Sequence, residues 1–183
     1  LEGIKSGENH DAVVYLGDNV MNGQATENLF FYAGVRAAKP SENNFVLMGN
    51  HDIGNGHGDY KELCDNYLKN NKIFLGNDLD KPYYYKVLNG CYMICLASEE
   101  LTVNTCAMSE EQLLWLENVL NEADGKNAPV FVFNHHPIES LTGVESDALV
   151  KLLNKYDKLL YIHGHTHYKF SEDSFSNVGG VDT

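Results

Sequence analysis

Histidines and carboxylates fall in four short clusters along this chain: Gly17-Asp18, Gly49-Asn50-His51-Asp52, Asn134-His135-His136-Pro137 and Gly164-His165-Thr166-His167. These side chains suit metal-assisted hydrolysis. A carboxylate such as that of Asp18 can bridge two cations through its two oxygens; alone, after a glycine, it would read as a turn or capping residue. The amide oxygen of Asn50 can ligate a cation without adding negative charge. His51 carries an imidazole, which exchanges protons near neutrality and can protonate a leaving oxygen. Asp52 either orients a neighbour or caps its loop, and the structural reading is preferred.

His135 and His136 are adjacent. Consecutive residues at a strand end point to opposite sides, so one imidazole faces the ions. The other is then a substrate contact, a neighbour of a ligand or a packed side chain. His165 and His167 lie two apart, on one side of an extended segment, a spacing that lets both meet closely spaced ions. His163 reads as a bystander. The loop residues Asn19, Asn22 and His57 are candidates for substrate contact.

Each cluster follows, or nearly follows, an apolar run that reads as a buried strand: residues 12–16, 45–48, 130–133 and 159–162. Parallel strands deliver the residues just past their carboxyl ends to one shared crevice. Between the strands, residues 27–38, 59–69 and 146–156 read as helices, and 53–58, with three glycines, as a loop. Ser109-x-x-Gln112 has the form of a capping box and opens a helix in which Leu113, Leu116, Val119 and Leu120 recur at helical spacing. Asn89-Gly90 separates two apolar runs and predicts a hairpin. A terminal strand pair is expected around Phe175 to Val178. Alternating strands and helices indicate a layered α/β fold.

The 183 residues suit a single domain, with 43% hydrophobic and 21% charged residues. The net charge of −13 argues against a broad nucleic-acid surface. No apolar run approaches the ~20 residues of a membrane span. The four cysteines contain no C-x-x-C pair. Cys91 and Cys95 share one predicted strand, ~13 Å apart, too far for a disulfide. Free, mostly buried thiols are expected, which leans towards a reducing, cytoplasmic compartment without settling localisation.

The clusters resemble the calcineurin-like metallophosphoesterase superfamily, whose motif order is Asp-x-His, Gly-Asp, Gly-Asn-His-Asp/Glu, His and Gly-His-x-His. Four of these five motifs stand here in order, from Asp18 to His167. The helix around Trp115 is similar to the one many bacterial members place before their lone-histidine strand. The resemblance implies a layered β-sandwich flanked by helices, with the site on loops at one edge. It also implies that Asp18 bridges two metals, that Asn50, His135 and His165 complete the ligand set of the second metal, and that His167 binds the first metal. His135 is preferred over His136, because the family ligand lies two before the proline. His51 would protonate the leaving oxygen. The implied reaction is hydrolysis of a small phosphomonoester or phosphodiester, a metal-held hydroxide attacking phosphorus, with divalent Mn, Fe or Zn. The rivals are a catalytically dead relic acting as a binding scaffold, and a nuclease.

Two departures shape the expectation. No Asp-x-His precedes Gly17-Asp18, and His10-Asp11 cannot replace it, lying ~20 Å away at the wrong strand end. The first metal keeps only Asp18 and His167, so one tightly bound ion in place of two, and weak activity or none, are expected. With the opening Leu1-Glu2-Gly3-Ile4, this suggests a single domain, residues 1–183, truncated at its N-terminus and missing a first strand. Second, protein phosphatases of the superfamily carry Asp-Arg-Gly where this chain has Met21-Asn22-Gly23, which argues against a protein substrate. Small phosphoesters, cyclic nucleotides included, remain.

Overall fold

The computed structural model describes residues 10–142, 146–167, 175–178 and 180–183. Strand Val13–Tyr15 (β1) leads through helix Ala25–Ala38 (α1) to strand Asn44–Val46 (β2), and helix Tyr60–Asn70 (α2) follows. Tyr84–Leu88 (β3) and Cys91–Cys95 (β4) form a hairpin. Cys106–Ala107 (β5), helix Glu110–Gly125 (α3), strand Val130–Asn134 (β6) and the short Leu141–Thr142 (β7) come next. Helix Ser146–Leu153 (α4), strand Leu159–His163 (β8) and the pair Asn177–Val178 (β9) and Val181–Asp182 (β10) complete the described elements.

The main sheet has the order β3-β4-β6-β8, antiparallel at β3/β4 and parallel thereafter. β1 and β2 form a separate parallel pair. Strand alternation divides the side chains between faces. Phe45 and Leu47 from the β1–β2 side meet Tyr84, Cys95 and Phe133 of the main sheet, so the two sheets pack face to face. The opposite face of β2 sends Val46 and Met48 against Tyr32 of α1 and Cys64 and Tyr67 of α2. The opposite face of the main sheet sends Ile94, Val132 and Tyr161 against Leu116, Leu120, Leu149 and Leu153 of α3 and α4. Each large apolar side chain buried in this way contributes about 1.5–3 kcal/mol.

Asn89 and Gly90 turn the β3–β4 hairpin with φ of 51° and 82°, the positive pair that a two-residue hairpin turn requires. Asp59 caps α2 by accepting the Glu62 N–H at 3.0 Å. Cys64, Cys95 and Cys106 are buried and Cys91 half-buried, all as reduced thiols.

Three local expectations change. The helix after Asp59 continues as a π-helical stretch, Asn71–Leu75, where the buried Asn71 amide donates to the Tyr67 carbonyl and the Tyr32 hydroxyl. Helix α4 stops at Leu153, short of Tyr156. Only half of the capping box forms. The Ser109 hydroxyl accepts the Gln112 N–H at 3.1 Å, but the Gln112 side chain turns inward and bonds both the N–H and the carbonyl of Ala97. The Glu99 carboxylate takes the Ser109 N–H in its place, at 2.7 Å.

Candidate metal centre

β1 and β2 are parallel, as are β4, β6 and β8, and the four clusters sit just beyond the carboxyl ends of β1, β2, β6 and β8. Close approach of these loops depends on glycine. Gly17 and Asp18 are both left-handed, with φ of 87° and 52°. A Cβ on Gly17 would lie 2.6 Å from His135 Nδ1 and 2.7 Å from the Gly49 nitrogen. A side chain on Gly49 would collide with the Asp18 carboxylate.

Four side chains converge here from four separate loops. His135 Nδ1 lies 2.7 Å from the Leu16 carbonyl oxygen, so its proton sits there and the Nε2 lone pair faces inward. Asn50 donates through Nδ2 to Asn55 Oδ1 at 2.9 Å, which turns Asn50 Oδ1 inward as well. His135 Nε2 then stands 3.2 Å from Asn50 Oδ1 and 3.2 Å from Asp18 Oδ2. His165 Nδ1 is 3.2 Å from Asn50 Oδ1 and 3.2 Å from His135 Nε2.

This is a cluster of electron-pair donors facing one another. Lone pairs so placed repel unless a proton or a cation lies among them. Their spacing also fits an ion, because ~2.1 Å metal–ligand bonds give polyhedron edges of roughly 3.0–3.4 Å. Protonation states agree. Burial raises the Asp18 pKa, but the neighbouring His135 imidazole and the His51 N–H (3.0 Å to Oδ1) outweigh it and hold the carboxyl below its usual range. Burial, with His135 nearby, pushes His165 down. Ligands must be deprotonated to bind metal, and the downward shifts of Asp18 and His165 both favour that form.

His51 is half-buried, and its ring Nδ1 meets the Met21 carbonyl oxygen at 2.6 Å. That contact places a proton on Nδ1 and leaves Nε2 for a partner from outside. Asp52 is structural, as preferred from sequence: its carboxylate accepts the Gly49 N–H at 2.7 Å and the Asn19 N–H at 3.1 Å. It clamps the Asp18 loop to the Asn50 loop. Burial pushes its pKa up to about 6, against those two hydrogen bonds.

The candidate substrate contacts fare differently. Asn19 is spent inside the fold, its side chain donating to the Leu47 carbonyl at 2.8 Å. Asn22 gives its N–H and side-chain amide to the Glu27 carboxylate at the start of α1. His57 is exposed on the glycine-rich loop.

Two expectations about histidine direction are corrected. His135 and His136 do not diverge. The strand ends at Asn134, so alternation stops there, and their rings stand 4.9 Å apart. His136 is 1% exposed, with its ring 4.5 Å from that of His165, and donor atoms of His135, His136 and His165 all lie within 4.8 Å of one another. Burial and the two neighbouring imidazoles push the His136 pKa down to about 4. The Gly164–His167 segment is not extended either: His165 and His167 are left-handed, with φ of 66° and 55°. His165 enters the cluster, while His167 is exposed beside it.

The sequence reading missed Asn55 and the carbonyls of Leu16 and Met21, which aim the rings. A short polar loop residue could have been suspected; a backbone carbonyl has no signature in a sequence.

With fold and site in place, the protein class follows. The calcineurin-like phosphoesterase family matches residues 1–169, and the chain belongs to that family, a family of metal-dependent phosphoesterases. A curated relative from Arcobacter nitrofigilis, named "Probable glycerophosphodiester phosphodiesterase GpdQ", is 30% identical over 168 residues, covering 86% of this chain and 56% of the relative. The chain thus spans about half the length of that protein. Among solved structures, a dimetal phosphatase from Danio rerio matches with a TM-score of 0.64 at 19% identity, covering 94% of this chain and 70% of that one. The purple acid phosphatase PPD1 from yellow lupin (Lupinus luteus) seeds matches at 0.63 and 17%, covering 90% and 32%. These two likenesses concern the fold. No helix among the described residues is long and apolar enough to cross a membrane.

Proposed function

We propose that this protein hydrolyses small phosphoesters at an ion held by Asp18, Asn50, His135 and His165. The observation that carries the reading is the ring of inward lone pairs at 3.2 Å spacings. The sheet-on-sheet packing between two pairs of helices supports the layered architecture implied by the family. Asp18 also has its second oxygen and the exposed His167 to offer a further ion, but two donors hold an ion weakly. Bound divalent ions of this kind neutralise phosphate oxygens and make water a usable nucleophile at neutral pH.

The chain's own groups then have separable tasks. Leu16, through its carbonyl, holds His135 in one tautomer, and Asn55 does the same for the Asn50 amide. His51, held by the Met21 carbonyl at Nδ1, acts as the proton donor to a leaving oxygen through Nε2 when the ring is an imidazolium. Asp52 keeps the two ligand loops in register.

Charge favours diesters over monoesters. Residues 16–24, 49–59, 97–108, 134–142 and 163–167 contain no lysine or arginine, but six carboxylates. A dianionic monoester would meet no cationic side chain from these segments, whereas a monoanionic diester has less charge to neutralise. The name of the Arcobacter nitrofigilis relative points the same way. The test is to load the purified protein with Mn(II), Fe(II) or Zn(II) and compare bis-para-nitrophenyl phosphate with para-nitrophenyl phosphate. Metal-dependent cleavage, faster for the diester, is expected. No turnover of either ester with any of the three metals would sink the reading.

A further inference from the structure

We propose that His136 is a third imidazole ligand of the ion held by His135 and His165, an inference that rests on the metal-binding reading above. The ring is 1% exposed and its Nε2 has no hydrogen-bond partner. The ring also lies beside the backbone of Val103, which acts on it in the direction of a hydrogen-bond acceptor. At His135 the Nδ1 donates to the Leu16 carbonyl while Nε2 points into the cluster, and the partnerless Nε2 of His136 is the counterpart of that inward nitrogen. A carbonyl on one ring nitrogen fixes the tautomer and leaves the lone pair on the other for a metal.

Packing alone does not explain the residue. A phenylalanine would fill the same volume without burying an unpaired polar atom. The donor atoms of His135, His136 and His165 lie within 4.8 Å of one another. Opposite ligands on ~2.1 Å bonds stand about 4.2 Å apart, so a ring movement of under about 1 Å brings His136 into range. A donor set with three imidazoles would favour the later first-row ions, zinc and cobalt, over manganese.

The test compares wild type with His136→Phe, each stripped of metal and titrated with cobalt(II) against a competing chelator. Cobalt affinity should fall by at least about 10-fold, the lower end of what even a ligand's hydrogen-bond partner is worth. The melting temperature of the metal-free variant should stay within roughly a few degrees of wild type, since Nε2 has no protein partner to lose and only the contact with the Val103 backbone goes. Unchanged cobalt affinity in a folded variant overturns the proposal. A second measurement needs no variant: ¹⁵N-labelled wild type loaded with ¹¹³Cd should show a cadmium–nitrogen coupling at His136 Nε2, beside those at His135 and His165. Couplings at the latter two alone overturn the role of His136, whereas no cadmium or cobalt binding at all overturns the metal-site reading beneath it.

Discussion

His135 Nδ1 lies 2.7 Å from the carbonyl oxygen of Leu16, a residue 119 positions earlier. This contact joins the end of β6 to the end of β1 across two sheets. It decides which ring nitrogen of His135 faces the other donors, and it exists only because the intervening residue, Gly17, has no side chain.

Gly17→Ala should therefore damage the site out of proportion to its size. The new Cβ meets His135 Nδ1 at 2.6 Å and the backbone is held at φ 87°. Strain of this kind costs about 1–3 kcal/mol, and displacing the His135 ring should also weaken metal binding. Gly90→Ala is the control: its φ is 82°, but nothing lies within 4 Å of the added carbon. It should cost about 1–2 kcal/mol of stability and leave metal affinity alone. Urea melts and cobalt titrations of both variants check this; equal metal affinity in the two would refute it.

His51→Asn should lower turnover by on the order of 10²–10⁴, the range for a general acid, with metal content close to wild type. The loss should shrink for leaving groups such as para-nitrophenolate, which scarcely need protonation. His135→Asn should strip metal and activity together. If metal is lost in proportion to rate in His51→Asn, the ring is a ligand and its assignment as proton donor is wrong.

Stability of the metal-free protein should vary little between pH 4 and 6, because two buried groups oppose each other. Asp52, raised from 3.8 to about 6, contributes stability that is fully present below pH 3.8 and is lost as pH rises through 6. His136, lowered from 6.5 to about 4, contributes stability that is present above pH 6.5 and is lost as pH falls through 4. The two windows overlap with opposite sign. In Asp52→Asn the opposing contribution is gone while those of the depressed imidazoles, His136 and His165, remain, so stability should drop steadily on acidification from pH 6.5 to 4. Denaturant midpoints across that range measure it; a slope unchanged from wild type would refute the coupling.

Gln112→Met should destabilise by about 2–4 kcal/mol, since it leaves both the N–H and the carbonyl of Ala97 unpaired in a buried site. Equilibrium unfolding in urea gives the value. A loss under about 0.5 kcal/mol would mean that water satisfies Ala97, contrary to its burial.

Much of this protein was legible as a linear pattern. Apolar runs marked β1, β2, β4, β6 and β8, because strand burial depends on side chains a few residues apart. Asn89-Gly90 marked its hairpin, since positive φ at two successive residues selects those types. The order of the four clusters pointed to the calcineurin-like family, because each ligand type is local to its loop.

Direction was not legible. Whether His135 and His136 diverge depends on where the ladder stops, and hydrogen bonds to β8 end it at Asn134. Whether His165 and His167 share a side depends on their left-handed backbone, to which imidazole itself gives little cue. The groups that aim the rings, at Leu16 and Met21, are carbonyls, and every residue has one. Tertiary packing alone decides which carbonyl lies beside which imidazole, and with that which nitrogen is left to bind a metal.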